Sequence, residues 1–214
     1  MIVLLYPVYA FDAPQNVYRF LRRLSRPGKN ILCSIIASPS ASHWINSAAS
    51  VTVRKRLAKK GFSVFREDIV AMPSNFFIGF SNAFSRHLIS TAETQMTEIA
   101  DNILHERQRI IRPHFLARII KLLCKLEHIG DNFYGKDLKA GKECTLCGKC
   151  VRDCPQQNIS IKNGRIRFGW RCIMCMKCVY RCPEGAISPR MYRFIPIKNG
   201  YDPYEILEDS VKDP

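Results

Sequence analysis

Eight cysteines lie between residues 144 and 182 of this 214-residue chain, in two copies of one spacing. The first copy is Cys144-x2-Cys147-x2-Cys150-x3-Cys154-Pro155. The second is Cys172-x2-Cys175-x2-Cys178-x3-Cys182-Pro183, so the segment is an internal repeat with a 28-residue offset. Disulfides at this density belong to small secreted chains. This chain is longer, and its start, Met1–Val8, is apolar without a basic leader and meets Pro7, which reads as a buried strand rather than a signal peptide. Clustered thiols therefore point to metal. Zinc sites use separated CxxC pairs or Cys/His mixtures. Soft thiolates in a doubled four-cysteine run suit iron–sulfur clusters, which offer one-electron transfer.

The run resembles that of bacterial two-cluster ferredoxins over about residues 141–190. In such runs the fourth cysteine serves the other cluster. The resemblance implies two [4Fe–4S] clusters, one held by Cys144, Cys147, Cys150 and Cys182, the other by Cys172, Cys175, Cys178 and Cys154. Three cysteines at x2 spacing converge on one cluster, and the fourth heads a turn that leads away, its exit set by the proline. Between the copies, Ile159–Phe168 alternates around Asn163-Gly164, a two-residue hairpin signal. Ile159 and Ile187 sit five residues after Cys154 and Cys182 and are expected to lay an apolar lid over the clusters. Phe168 and Trp170 are expected to pack on the hairpin. Lys149 and Lys177 occupy matching places, as solvated charges or as groups that raise the cluster potential or meet a partner. Cys33 and Cys124, each in an apolar segment, read as buried structural cysteines.

Upstream, apolar runs at Ile2–Tyr6 and Ile31–Ala37 and a third extended segment, made of Phe62–Phe65 and Ile69–Met72, alternate with helical patterns. That order predicts a parallel α/β sheet. Asp12 is placed to cap the first helix, and Gly61 to end a second that runs from Trp44. Two helical stripes follow: Leu88, Ala92, Met96, Ile99 and Ile103, then Phe115, Ile119, Leu122 and Leu123. Gly130 to Gly141 is polar and reads as a linker. The five histidines, His43, His87, His105, His114 and His128, are scattered, and neither a catalytic triad nor a P-loop is visible.

The whole chain is similar to a family of flavodoxin–ferredoxin fusions of anaerobes, the EFR-type ferredoxins. Pro7-Val8-Tyr9, Met72-Pro73-Ser74-Asn75-Phe76 and the helical bridge into Cys-x-x-Cys-Gly-Lys-Cys carry the likeness. It implies a partial flavodoxin-like α/β region at 1–80, a helical bridge and linker at 81–140, a small α+β dicluster ferredoxin domain at 141–190 and a C-terminal tail at 191–214. It implies that two strands and two helices of a full flavodoxin domain are absent before Met1, through a misplaced start, a split gene, an open edge that pairs with another chain, or decay to a remnant. FMN binding by this chain is then expected to be weak or absent, and Tyr9 and Asn75 are the contacts the likeness would give it.

The formal charge is +15, with 20 basic and 10 acidic side chains in residues 1–140 and 13 and 8 in the rest. Bound clusters would lower the second figure further. The surplus is therefore expected on the first region, with an acidic redox partner as its counterpart, and the basic residues of the second helix, Arg54 to Lys60, read either as a solvated face or as a docking patch. No nucleic-acid signature is present, and no apolar run is long enough to span a membrane. The expected role is that of a cytoplasmic electron carrier. A flavin-dependent oxidoreductase fed by the clusters, or a binding protein with structural clusters, are the alternatives.

Overall fold

A computed structural model describes residues 1–40, 44–74, 79–124 and 127–197. The chain divides into two compact units, Met1–Pro73 with Asn82–Lys125, and Ser74–Ser81 with Leu126–Pro214. The fold is mixed α/β: a three-stranded parallel sheet with its helices, and a small region of short strands and helices that carries the cysteines.

The first unit runs β1 (Ile2–Pro7), α1 (Gln15–Arg23), β2 (Ile31–Ser38), α2 (Val51–Lys59), β3 (Phe62–Ile69), α3 (Asn82–Leu104) and α4 (Phe115–Leu123). The sheet order is β1-β2-β3, with both pairings parallel. The apolar strand β2 is central because both its faces are covered. Cys33, Ile35 and Ala37 meet Tyr6, Val17, Leu21, Val53 and Leu57 on one side. Ile36 meets Phe65, Ala92, Ile99 and Ile103 on the other. Each Ile or Leu sealed in this way contributes about 1.5–3 kcal/mol. Gly61, at φ +89°, ends α2 as expected.

Four local expectations change. Asp12 does not cap α1, since Pro14 stands at that position. Its buried carboxylate instead ion-pairs with Lys121 Nζ at 2.8 Å and accepts bonds from the Ala13 N–H and the Tyr18 hydroxyl. The second helix begins at Val51, after a run of turns from Trp44. The stripe Phe115, Ile119, Leu122, Leu123 is exposed, 71% and 70% at its ends, while Ala117 and Lys121 are buried. A small residue and an ion pair seat α4, not its apolar face. Finally, β3 is continuous through Arg66-Glu67-Asp68, whose side chains are all buried.

The second unit runs α5 (Glu127–Asp137), β4 (Leu138–Ala140), α6 (Lys149–Asp153), β5 (Ile159–Lys162), β6 (Arg165–Phe168), α7 (Lys177–Tyr180) and β7 (Ile187–Pro189). The stretch that reads as a linker is thus α5 and β4. Gly130 and Gly135 lower its helix propensity, yet packing of Tyr134 and Leu138 into the core overrides it. β4 pairs antiparallel with β7. β5 and β6 form the expected hairpin, Lys162 opposite Arg165, with Asn163 and Gly164 both at positive φ. Most of the 191–214 tail lies outside the described residues.

Candidate metal centre

The cysteine repeat is also a backbone repeat. Leu146 and Met174, Gly148 and Met176, and Gln157 and Gly185 form three pairs at the 28-residue offset, and all six have positive φ. These left-handed residues turn the chain around each group of thiols, and α6 and α7 start at matching positions. Met176 takes on a φ of +57° without the freedom of glycine. Its side chain is buried, and its sulfur accepts a hydrogen bond from Tyr134 Oη at 3.3 Å. Core packing offsets the strain there.

Two cavities sort the eight cysteines. Cys154, Cys172, Cys175 and Cys178 line one, of about 440 Å³. Cys144, Cys147, Cys150 and Cys182 line the other, of about 330 Å³. Every cavity takes three cysteines from one repeat and the fourth from its neighbour. The device is local. Cys150 and Cys154 are one turn of α6 apart, about 6 Å of rise, and face different cavities. Ile159 and Phe168 line the first cavity, and Ile166 and Ile187 the second, so apolar side chains wall both as expected of a lid.

The donors suit a cluster. Four thiols line each space, and four thiolates are the donor set that a [4Fe–4S] cluster takes. Burial pushes the Cys178 thiol well above its ordinary range, with Cys175, Cys172, Cys154 and Cys150 adding to the effect. Burial also raises Cys175 and Cys150. Thiolates crowd here at a cost that a positively charged metal core removes. Backbone donors are already aimed at sulfur. The amides of Asn158 and Ala186 bond to Cys154 Sγ and Cys182 Sγ at 3.3 and 3.4 Å, each four residues on, and the Met174 amide reaches Cys172 Sγ at 3.4 Å. Such bonds stabilise negative charge on sulfur.

Several supporting residues escape the sequence reading. Asn158 Oδ1 accepts from the Arg171 N–H at 2.7 Å and its Nδ2 donates to Gly169 O at 3.2 Å, clamping the approach to Cys172. A Cβ on Gly135 would overlap the Cys172 Cβ, so only glycine lets α5 come this close. The Asp137 carboxylate takes the amides of Met191 and Tyr192 at 3.0 Å and fixes the turn after β7. None stands in a recognisable spacing. The signal available was a polar or glycine residue beside a motif, which is common.

Other expected groups fall elsewhere. Trp170 is exposed and stands edge-on to Phe133 of α5, with Lys136 over its ring, rather than on the hairpin. Lys149 pairs with Asp153 at 3.1 Å. Cys33 is fully buried and Cys124 half-buried. Tyr9, just beyond β1, bridges Asp12 through two backbone bonds of 2.9 Å. Asn75 and His43 lie outside the described residues. No helix among the described residues is long and apolar enough to cross a membrane.

No curated protein and no solved structure matches this chain. Residues 136–183 match the family model of the 4Fe-4S dicluster domain, which supports iron–sulfur cluster binding in that segment and leaves residues 1–135 outside the match.

Proposed function

We propose that this chain carries single electrons through two [4Fe–4S] clusters between redox partners, in the cytoplasm. The observation that carries the reading is the sorting of eight thiols into two cavities, each completed across the repeat. A bound cluster supplies one-electron chemistry. The chain's own residues would hold each cluster by four sulfurs, donate amide hydrogen bonds to three of the eight, those of Cys154 and Cys172 at one site and of Cys182 at the other, and exclude water with Ile159 and Phe168 at the first and Ile187 at the second. Helix α6 links the two cavities within a single turn, so a short path between them follows.

The test is anaerobic purification followed by iron and sulfide assay and voltammetry. About eight irons and eight sulfides per chain, with reversible one-electron waves, are expected. Zinc in place of iron would refute the reading. Clusters that never cycle would move it to the structural alternative. The flavin alternative rests on the parallel sheet and on Tyr9 near the carboxyl end of β1, and one equivalent of FMN released on denaturation would support it.

A further inference from the structure

The cysteine-bearing unit has a third concavity, an open groove with an empty volume of about 1480 Å³. Its walls come from the end of α5, β4, residues 141–146, the hairpin turn, β6 and Arg190. Six of the lining side chains are cations: Lys136, Lys139, Lys142, Arg165, Arg167 and Arg190. No lining residue is Asp or Glu. Five of the six are exposed and Lys139 is half-buried. Among the described residues none of them forms an ion pair. Glu143, the one acidic residue between 138 and 146, lies against Gly141.

Six like charges around one groove repel each other, and they create a field that an opposite surface relieves. With a screening length of about 10 Å at 0.1 M salt, that field reaches an approaching molecule. The groove also has a functional end. Cys144 and Leu146 line it, and both line the cavity of Cys147, Cys150 and Cys182 as well. The cations are spread over three separate segments of chain, 136–142, 165–167 and Arg190, around an open groove, which fits a broad surface better than one small anion.

We infer that this groove is the docking surface for an acidic redox protein, which meets the chain beside Cys144. The inference rests on the electron-transfer reading above and adds the place and the charge of the partner. One electron leaves the reduced partner and one is gained by this chain, or the reverse, with no bond made and no proton moved. The site lies in the second unit, not on the first region where the formal charge is larger. Three basic residues at α2 are already engaged: Arg54 on Glu67, Arg56 over the Tyr18 ring, and Lys60, just after the helix, on the carbonyls of Arg22 and Leu24.

The test uses the cluster-loaded full chain and, as probe, an acidic plant-type [2Fe–2S] ferredoxin. Affinity is measured by titration calorimetry at about 20 mM ionic strength and again at about 300 mM. Two groove variants are compared with wild type, Arg165→Glu/Arg167→Glu and Lys139→Glu/Lys142→Glu, together with a control on α2, Lys55→Glu/Lys59→Glu. Wild-type binding is expected to weaken with salt. Each groove variant should bind about tenfold or more weakly at low salt and lose the salt dependence, while the control stays within about twofold. Should one groove variant fail to load iron, the other carries the comparison. Unchanged affinity in the groove variants overturns the inference, as does an equal loss in the control. Inorganic phosphate that competes with the probe better than chloride at equal ionic strength marks a small-anion site and also overturns it. Voltammetry on the same samples separates the two readings: clusters that do not cycle sink the electron-transfer proposal, whereas the docking surface stands or falls on affinity.

Discussion

Cys154 belongs by sequence to the first repeat, but its sulfur lines the cavity of Cys172, Cys175 and Cys178. Cys182 makes the reverse exchange. Removing either side chain should therefore harm the site to which the other repeat gives three ligands. Cys154→Ala is expected to lower iron by about half and to leave the EPR signal of the Cys144 site, and Cys182→Ala should leave the other signal. Iron assay and EPR on both variants decide it, and loss of the same signal in both would refute the exchange. The grouping of the thiols into two sets agrees with what the likeness to two-cluster ferredoxins implies, and it is local, set by x2 spacings, one helical turn and a proline. Gly135 and Asn158 were not legible in the sequence, because their roles arise from contacts with Cys172, Gly169 and Arg171, which no spacing announces.

At the scale of elements, hydrophobic pattern succeeds where burial is apolar and fails where charge is buried. β2 reads as a buried strand and is one. α4 reads as a helix with an apolar inner face, and the face that is buried holds Lys121. Lys121 Nζ reaches the Asp12 carboxylate at 2.8 Å and donates to Ala48 O at 3.0 Å. β3 likewise continues through three charges because each finds partners. Arg66 grips Asp68 with two bonds of 2.7 and 3.0 Å, Arg109 adds a third at 3.2 Å, and Glu67 accepts from Arg54 and from the Ile111 amide. A one-residue bulge after Cys33 in the β2–β3 register sets the sides, with Glu67 toward α2 and Phe65 toward α3. The energetic consequence is asymmetric, since a buried charge without its partner costs far more than the pair yields. Asp12→Ala should destabilise the first unit by about 3–5 kcal/mol, and Asp12→Ala with Lys121→Met should recover much of the loss. Chemical denaturation of the single and double variants measures both steps, and additive losses would show that the ion pair does not seat α4.

On the scale of the whole molecule, the two units are held together internally by different means. The sheet unit has two apolar clusters, one on each face of β2, and contains no part of the cysteine repeat. Among the described residues the other unit has one small cluster, built on Tyr134, Leu138, Ile159, Phe168, Met176 and Ile187, and five of the eight cysteines pack against it. Its strands are three or four residues long and pair only in twos. Two-stranded pairs of that length are marginal in water by themselves, and small domains with so little core commonly depend on metal. Removal of iron by a chelator under anaerobic conditions should therefore unfold the cysteine unit and spare the sheet. Hydrogen exchange read by mass spectrometry is expected to show lost protection in β5, β6 and β7, with the amides of β2 as protected as before. Protection lost in β2 on the same treatment would mean that the two units unfold as one, and that the apolar clusters around β2 do not suffice to hold the sheet.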